Sequence, residues 1–390
     1  MKVVLVSYHY HPYPGYRSSL VHQYFLNREK AYGAMPTDYV FLHADWDHHT
    51  KTRFESAARE GREALRVPSY KRNLSLKRVW SHILFSWKVW KHPALKEADL
   101  AFVCVPPSLA ALGPALRLSL RGKPWILDIV DLWPEALPVA RWKKIVFAVG
   151  FGWAWALLRR ALYQRATRFV SHCQYFLDEL RIDPARTALI PLAQAQVEMT
   201  KLSPEERLPL EKEIRLLVLG SINHVLDSKS LLALLVALPA KRTVLEILGG
   251  GESKPKLLAQ LAEKCPGLRI VDHSMNFDPE LKRSVLARCH FGYNGYSTQT
   301  AIGITYKSID FTTQGLVFLN SVQGDLHHLV ESYGAGFNYR AGEESALATT
   351  LADLDETDYQ VLSQGSRNIY EDYFRLESFH ERMDRLMESV

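Results

Sequence analysis

The sequence predicts an α/β protein of two doubly wound domains, and three observations predict it. Short apolar runs alternate with helical patterns, the alternation breaks once, and it then restarts. With 390 residues the chain is long enough for two cores of ordinary size. The break, from Ala193 to Lys212, is polar and contains Ser203-Pro204-Glu205-Glu206 and Pro209. It coincides with a reversal of charge: residues 1–195 hold 28 Lys/Arg against 15 Asp/Glu, whereas residues 196–390 hold 20 against 27. Domains are therefore expected over 1–195 and 213–356, with a helical tail over 357–390 that carries Tyr370, Tyr373, Phe374 and Phe379 as docking residues and crosses back onto the first domain.

In the first domain, β-branched or apolar runs predict strands at Val3–Ser7, Tyr39–Leu42, Leu100–Val105, Trp125–Ile129, Phe169–Ser171 and Ala188–Pro191. Longer patterns of helical period predict helices at Arg17–Lys30, Leu76–Trp90, Ser108–Leu120, Trp142–Tyr163 and Gln174–Arg181. The second domain repeats the rhythm with strands at Ile214–Leu219, Val244–Leu248, Leu268–Val271, Phe291–Asn294 and Val317–Asn320. Its predicted helices are Ser228–Leu238, Pro255–Lys264, Pro279–Ala287 and Tyr306–Thr313.

Composition and motifs exclude several classes. Cys104, Cys173, Cys265 and Cys289 are scattered without Cys-x-x-Cys or Cys/His spacing, which argues for a reducing compartment and against a zinc site. The apolar run Val3–Val6 is too short for a signal peptide and reads as a first strand. No run of about 18 apolar residues exists, so a membrane-crossing helix is not expected. Neither G-x-G-x-x-G nor G-x-x-x-x-G-K-[ST] is present, which argues against NAD enzymes and P-loop NTPases.

Ligands of doubly wound sheets sit beyond the carboxyl ends of strands, where loops and helix N-termini expose unpaired N–H groups suited to anions. Gly15 lies in such a loop after the first strand, next to Arg17, although a plain turn explains it equally well. Asp128-Ile129-Val130-Asp131-Leu132-Trp133-Pro134-Glu135 places Asp131 and Glu135 beyond another strand, where a carboxylate can orient a hydroxyl or simply cap the next helix. In the second half Gly220-Ser221 ends a strand and Lys229 opens the next helix, so an ammonium can reach a diphosphate; the alternative is a solvated surface lysine. Gly249-Gly250-Gly251-Glu252 would let a ring or sugar lie against bare backbone, and Ser274 and Gly303 fall in loops that shape the same region. In Ile304 to Phe318, Lys307 and Asp310 fall three apart on one helical face. A cation there can bind phosphate while a carboxylate accepts ribose hydroxyls, unless the two form an ordinary intrahelical ion pair.

These blocks, in this order, resemble those of the GT-B-fold, family-4-type retaining glycosyltransferases of polysaccharide and lipid-linked glycan assembly. Pro14-Gly15 resembles their early glycine loop, Asp131-Leu132-Trp133-Pro134 their D-x-W-P, and Leu248-Gly249-Gly250-Gly251 their glycine-rich strand end. Their P-x-K-x-x-E-Y-x-A-x-G-x-P-V is matched from Thr305 to Val317, with Thr305 for Pro, Asp310 for Glu, Phe311 for Tyr, and Lys307 and Gly315 kept. Ser332-Tyr333-Gly334-Ala335-Gly336 matches x-x-G-A-G. The chain departs at the arginine after the second-domain glycine, where Ser221 and Ile222 stand, and at the upstream acid of E-x7-E, which would fall near Ile302.

The resemblance implies two facing Rossmann-like domains with a C-terminal helix crossing back, and transfer of a sugar from a nucleotide diphosphate to a polyprenyl-diphosphate-linked glycan in surface polysaccharide synthesis. It implies catalytic roles for Asp131 and Lys307. The donor would be held by Gly15, Gly220, Ser221, Lys229, Gly249, Gly250, Ser274, Gly303, Thr305 and Asp310, and the acceptor by Asp131, Glu135 and Arg17. No cofactor and no metal are expected, the nucleotide sugar being a substrate. A non-catalytic GT-B-like partner, motivated by Ile302, Ser221 and the Asp310 substitution, and a nucleotide-sugar epimerase are the alternatives.

Two segments interleave cations with indoles: Lys71 to Lys91, with Trp80, Trp87 and Trp90, and Arg141 to Arg160, with Trp142, Lys143, Lys144, Trp153 and Trp155. Such side chains favour the headgroup zone of a bilayer because each joins an apolar body to a polar tip. The expected partners are a membrane surface and the lipid-linked acceptor, with the chain cytoplasmic and peripheral on the inner face of the cell membrane. A buried helix with solvated ends is the alternative for the second segment. No nucleic-acid motif accompanies these basic stretches, so no nucleic-acid partner is expected.

Overall fold

The computed structural model describes residues 1–10, 16–32, 38–48, 50–54, 61–72, 75–131, 157, 159–194, 208–276, 278–297 and 302–390. They form two compact units, Met1–Leu192 together with Phe379–Val390, and Ala193–Ser378. Gly15, Glu135, Trp142, Lys143, Lys144 and Trp153 lie outside the described residues.

The first unit is built on a seven-stranded parallel sheet of β1 (Val3–Ser7), β2 (Tyr39–Ala44), β3 (Arg62–Leu65), β4 (Leu100–Val105), β5 (Trp125–Ile129), β6 (Arg168–Ser171) and β7 (Thr187–Leu189), in the order β3-β2-β1-β4-β5-β6-β7. Every residue of β1, β4 and β5 is buried. Helices cover both faces of such a strand, which is why these segments read as unbroken apolar runs instead of alternating ones. The helix Leu76–Lys91 starts at Ser75, whose hydroxyl accepts from Arg78 N at 3.3 Å, and buries Ser81, His82, Phe85, Ser86 and Val89. It crosses the helix Ser108–Leu120 at Gly113, whose N–H donates to Ser86 Oγ at 2.7 Å and where a Cβ would stand 2.4 Å from Ser86 O. Its outer face leaves Leu76, Val79, Trp80, Ile83 and Trp87 exposed.

The second unit is a six-stranded parallel sheet of β8 (Ile214–Ser221), β9 (Thr243–Gly250), β10 (Arg269–Asp272), β11 (Phe291–Asn294), β12 (Val317–Asn320) and β13 (Gly336–Asn338), in the order β10-β9-β8-β11-β12-β13. Its core joins Leu216, Val218, Ile247, Phe291, Tyr293, Val317 and Leu319 from the sheet to Leu231, Leu234 and Tyr359 from helices. Each such side chain is worth roughly 1.5–3 kcal/mol of burial. In both sheets the strand order reverses beside the first strand, at β1/β4 and at β8/β11, and a crevice opens beyond the carboxyl ends at such a switch point.

The tail divides between the units, where the sequence reading grouped all of 357–390 with the first. The helix Glu356–Ile369 packs within the second, with Ser363 Oγ donating to Gly315 O at 2.7 Å, while the helix Leu376–Glu388 places Phe379 in the first, 5.6 Å from the Arg17 guanidinium. Strands β3 and β13 and the helices Pro93–Glu97, Asp325–Ser332 and Glu344–Asp353 were not expected from the sequence. Among the described residues no helix is long and apolar enough to cross a membrane.

Candidate functional site

The switch point of the second sheet gathers the groups that can receive an anion. The loops after β8 and β11 are stitched together: Asp227 N donates to Gly295 O at 3.2 Å, Ser297 N to Val225 O at 2.9 Å, and Tyr293 OH to Asp227 O at 2.7 Å. Asp227 also caps the helix Ser228–Ala237, accepting from Ser230 N at 3.1 Å, so Lys229 stands exposed in the first turn beside the same strand ends.

Lys307 belongs to the first turn of the helix Tyr306–Gln314 and is buried, 9% exposed. Its ammonium donates to Tyr293 O at 3.2 Å and lies 4.5 Å from the centre of the Tyr296 ring. Among the described residues no carboxylate pairs with it, and desolvation pulls its pKa from 10.5 down to about 7. A buried ammonium held by one carbonyl and one ring face is poorly compensated. Beside it is the positive end of the helix dipole, so the arrangement favours an incoming dianion.

What aims this helix is a string of amides. Strands β11, β12 and β13 close on Asn294, Asn320 and Asn338, which stand in register. Asn294 Nδ2 donates to Asn320 Oδ1 at 2.9 Å, Asn320 Nδ2 to Asn338 Oδ1 at 2.7 Å, and Asn338 Nδ2 to His327 O at 3.0 Å. The string meets the helix cap at Thr305, whose hydroxyl donates to Asn294 Oδ1 at 3.1 Å and accepts from Ser308 N at 3.3 Å. Thr305 is thus buried and serves the cap. Sequence reasoning missed the amides, although two of the expected strands, Phe291–Asn294 and Val317–Asn320, each end on Asn.

Asp310 does not pair with Lys307. Its carboxylate accepts from Lys282 Nζ at 2.7 Å, across to the helix Pro279–Arg288; burial lifts its pKa and Lys282 opposes the rise. The intrahelical ion pair offered as an alternative is therefore absent. Gly303 is buried, with its carbonyl accepting from Leu326 N at 3.0 Å. Ser274, at φ 57°, is exposed and donates its N–H to Asp272 at 2.7 Å.

The glycine run has a reason within the sheet itself. Gly220 stands opposite Gly249 in register, and a Cβ on Gly249 would lie 1.9 Å from Gly220 O. Gly251, at φ 148°, would bring a Cβ 2.3 Å from Ile222 O. Close approach of neighbouring backbone requires glycine at both. At Gly250 a Cβ would meet the Met275 side chain, 3.2 Å from Cε and 3.4 Å from Cβ. Lys254, unremarked in the sequence, ties Gly249 O at 2.8 Å to Asp272 at 2.6 Å.

In the first unit, Arg17 is tied into the fold. It is 2% exposed, and its Nε donates to both oxygens of the fully buried Asp128, at 3.1 and 2.9 Å, while Nη1 donates to Ile190 O at 2.7 Å. The guanidinium fastens the start of the helix Arg17–Tyr32 to β5 and to the chain beyond β7. Asp131 lies exposed two residues beyond β5, at the carboxyl edge of the sheet. Trp87 is 51% exposed, with Lys91 Nζ 4.2 Å from its ring centre. No group of His, Cys, Asp and Glu among the described residues could hold a metal ion.

Solved structures share this architecture. HepE of Anabaena, crystallised with UDP, matches with a TM-score of 0.68 at 13% identity over 100% of each chain. The fold is GT-B. Sucrose-phosphate synthase of Thermosynechococcus elongatus matches this GT-B chain with a TM-score of 0.69 at 16% identity, covering 100% of it and 98% of the synthase. WaaG, a glycosyltransferase involved in lipopolysaccharide biosynthesis, matches with 0.61 at 14% identity, covering 98% and 99%. No protein-family model and no curated protein matches the chain.

Proposed function

We propose that this GT-B protein is a retaining glycosyltransferase that moves a sugar from a nucleotide diphosphate to a polyprenyl-diphosphate-linked glycan in surface polysaccharide synthesis. The observation that carries the reading is Lys307, a buried ammonium without a carboxylate partner among the described residues, at the switch point of the second sheet. HepE, which shares the fold, was crystallised with UDP-glucose, which supports a nucleotide sugar as the donor. As the bond from sugar C1 to the β-phosphate oxygen breaks, its electron pair leaves on the diphosphate. Lys307, Lys229 and the N–H groups of the helix start stabilise that charge more strongly in the transition state than in the ground state. The acceptor hydroxyl bonds C1 from the same face and its proton passes to the leaving phosphate. Asp310 holds the ribose and Asp131 orients the acceptor, with no metal required.

The lipid-linked acceptor rests on the exposed face of the helix Leu76–Lys91. Leu76, Trp80 and Trp87 are 87%, 57% and 51% exposed, and no Asp or Glu occurs from Ala64 to Lys96. An apolar stripe rimmed by cations suits the interface of an anionic bilayer, which supports a peripheral enzyme on the inner face of the cell membrane.

Calorimetric titration of UDP, GDP and dTDP tests the donor half. At least one should bind, and Lys307→Met should weaken it about 100-fold or more, close to 2.7 kcal/mol. Absence of binding by all three would favour a non-catalytic partner. Radiolabelled donor with membrane lipid extract tests the acceptor half: label should enter the lipid phase.

A further inference from the structure

We infer a second anion site, beyond the donor reading and independent of it: a groove on the outer edge of the first sheet, between β7 and the helix Leu376–Glu388, that binds a phosphate group. It encloses about 300 Å³ and is lined by Arg168, Arg382 and Arg385, by the backbone from Thr187 to Ile190, and by Ser389. Among the described residues no carboxylate lines it. Arg168 opens β6, so the groove runs along the sheet edge from its amino end, away from Asp131 at the carboxyl edge.

The guanidiniums are positioned by neutral acceptors. Arg168 donates to Ala185 O at 3.1 Å and Ser389 O at 3.2 Å, Arg382 to Leu189 O at 3.4 Å, and Arg385 to Glu381 O at 3.3 Å. Among the described residues neither Arg168 nor Arg385 has a carboxylate partner. Arg168 and Arg385, two like charges around one small space, repel unless an anion joins them, and guanidinium forks match phosphate oxygens bidentately. The sheet edge adds a donor. Ile190 N–H pairs inward with Ser171 O at 2.9 Å, so the alternation of a parallel strand turns Leu189 outward into the groove, where its carbonyl already meets Arg382. The volume is at the lower end for small-ligand sites, enough for a phosphate with its organic stem partly outside.

Hydrogen exchange of the full chain, with inorganic phosphate in one arm and phosphatidylglycerol vesicles in the other, tests this. Phosphate should protect 185–190 and 382–389, and Arg385→Gln should raise the concentration for half-protection about tenfold. Arg385 is exposed and its bond lies within its own helix, so the variant should fold; Arg168→Gln provides a second. Protection of 302–310 reports the donor site separately and should be unchanged in both variants. Protection by phosphate alone assigns a soluble phosphate compound, and protection by vesicles as well assigns a lipid headgroup. No protection of the groove in either arm, or protection indifferent to both substitutions, overturns the site.

Discussion

Each half of the molecule buries a cation in the first turn of a helix, and the two halves treat it in opposite ways. In the first, Arg17 is met by both oxygens of Asp128 and by a carbonyl. In the second, Lys307 is met by one carbonyl and one ring face. Burial therefore does not mark a functional cation. A missing countercharge is the sharper criterion, because the protein then carries an electrostatic cost that a bound anion relieves.

The comparison breaks most readily at Arg17. Asp128→Ala leaves a guanidinium buried and unpaired, and urea denaturation should show a loss of about 3–5 kcal/mol. A loss under about 1 kcal/mol would erase the contrast. Removing the other cation should do the reverse: Lys307→Met replaces an uncompensated ammonium by an apolar chain of similar length, and at pH 6 the ligand-free protein should be unchanged or about 1–2 kcal/mol more stable. A clear destabilisation would make Lys307 a structural residue like Arg17.

The smallest effect is on pH, and its sign follows from the direction of the shift. Burial lowers the folded pKa of Lys307 to about 7 from 10.5. Below 7 both folded and unfolded chains hold the proton and the burial penalty is complete; between 7 and 10.5 the unfolded chain binds more protons, so this group's contribution to stability rises with pH. Diphosphate binding runs the other way, since the ligand needs the ammonium. From about pH 7.5 to 9, where the phosphates are already ionised, affinity should fall by up to about tenfold per unit in calorimetry. In Lys307→Met the profile should be flat, and a flat profile in the unaltered protein would remove Lys307 from the site.

The fully buried strands were legible because a strand covered on both faces must be apolar throughout, as in Leu100–Val105 and Val317–Asn320. Strands β3 and β13 escaped because they are four and three residues long, stand at sheet edges and keep partly exposed residues. Lys307 could be singled out from its place after a strand, but its lack of a partner could not. Asp310, three residues on, looked like the countercharge, whereas it faces Lys282, 28 residues back in the chain. The partner of Arg17 was hidden for the same reason, since Asp128 lies 111 residues away. Chain spacing reports which groups share a helix face; which charge is neutralised depends on contacts that spacing does not encode.

The amide string has a chemical consequence of its own. All three side-chain NH₂ groups point the same way along the sheet edge, so the orientation of each amide is dictated by its neighbour, and the first oxygen is committed to Thr305. Asn294 precedes Gly295, the pairing in which a backbone nitrogen most easily attacks a side-chain amide and converts it to an acid. Such a conversion would set a carboxylate against Asn320 Oδ1, two acceptors facing each other at the base of the Lys307 helix. The full burial of Asn294 and its bonds on either side hold that amide out of reach of the attack, so the bonds that orient Lys307 also defend the protein against its own ageing.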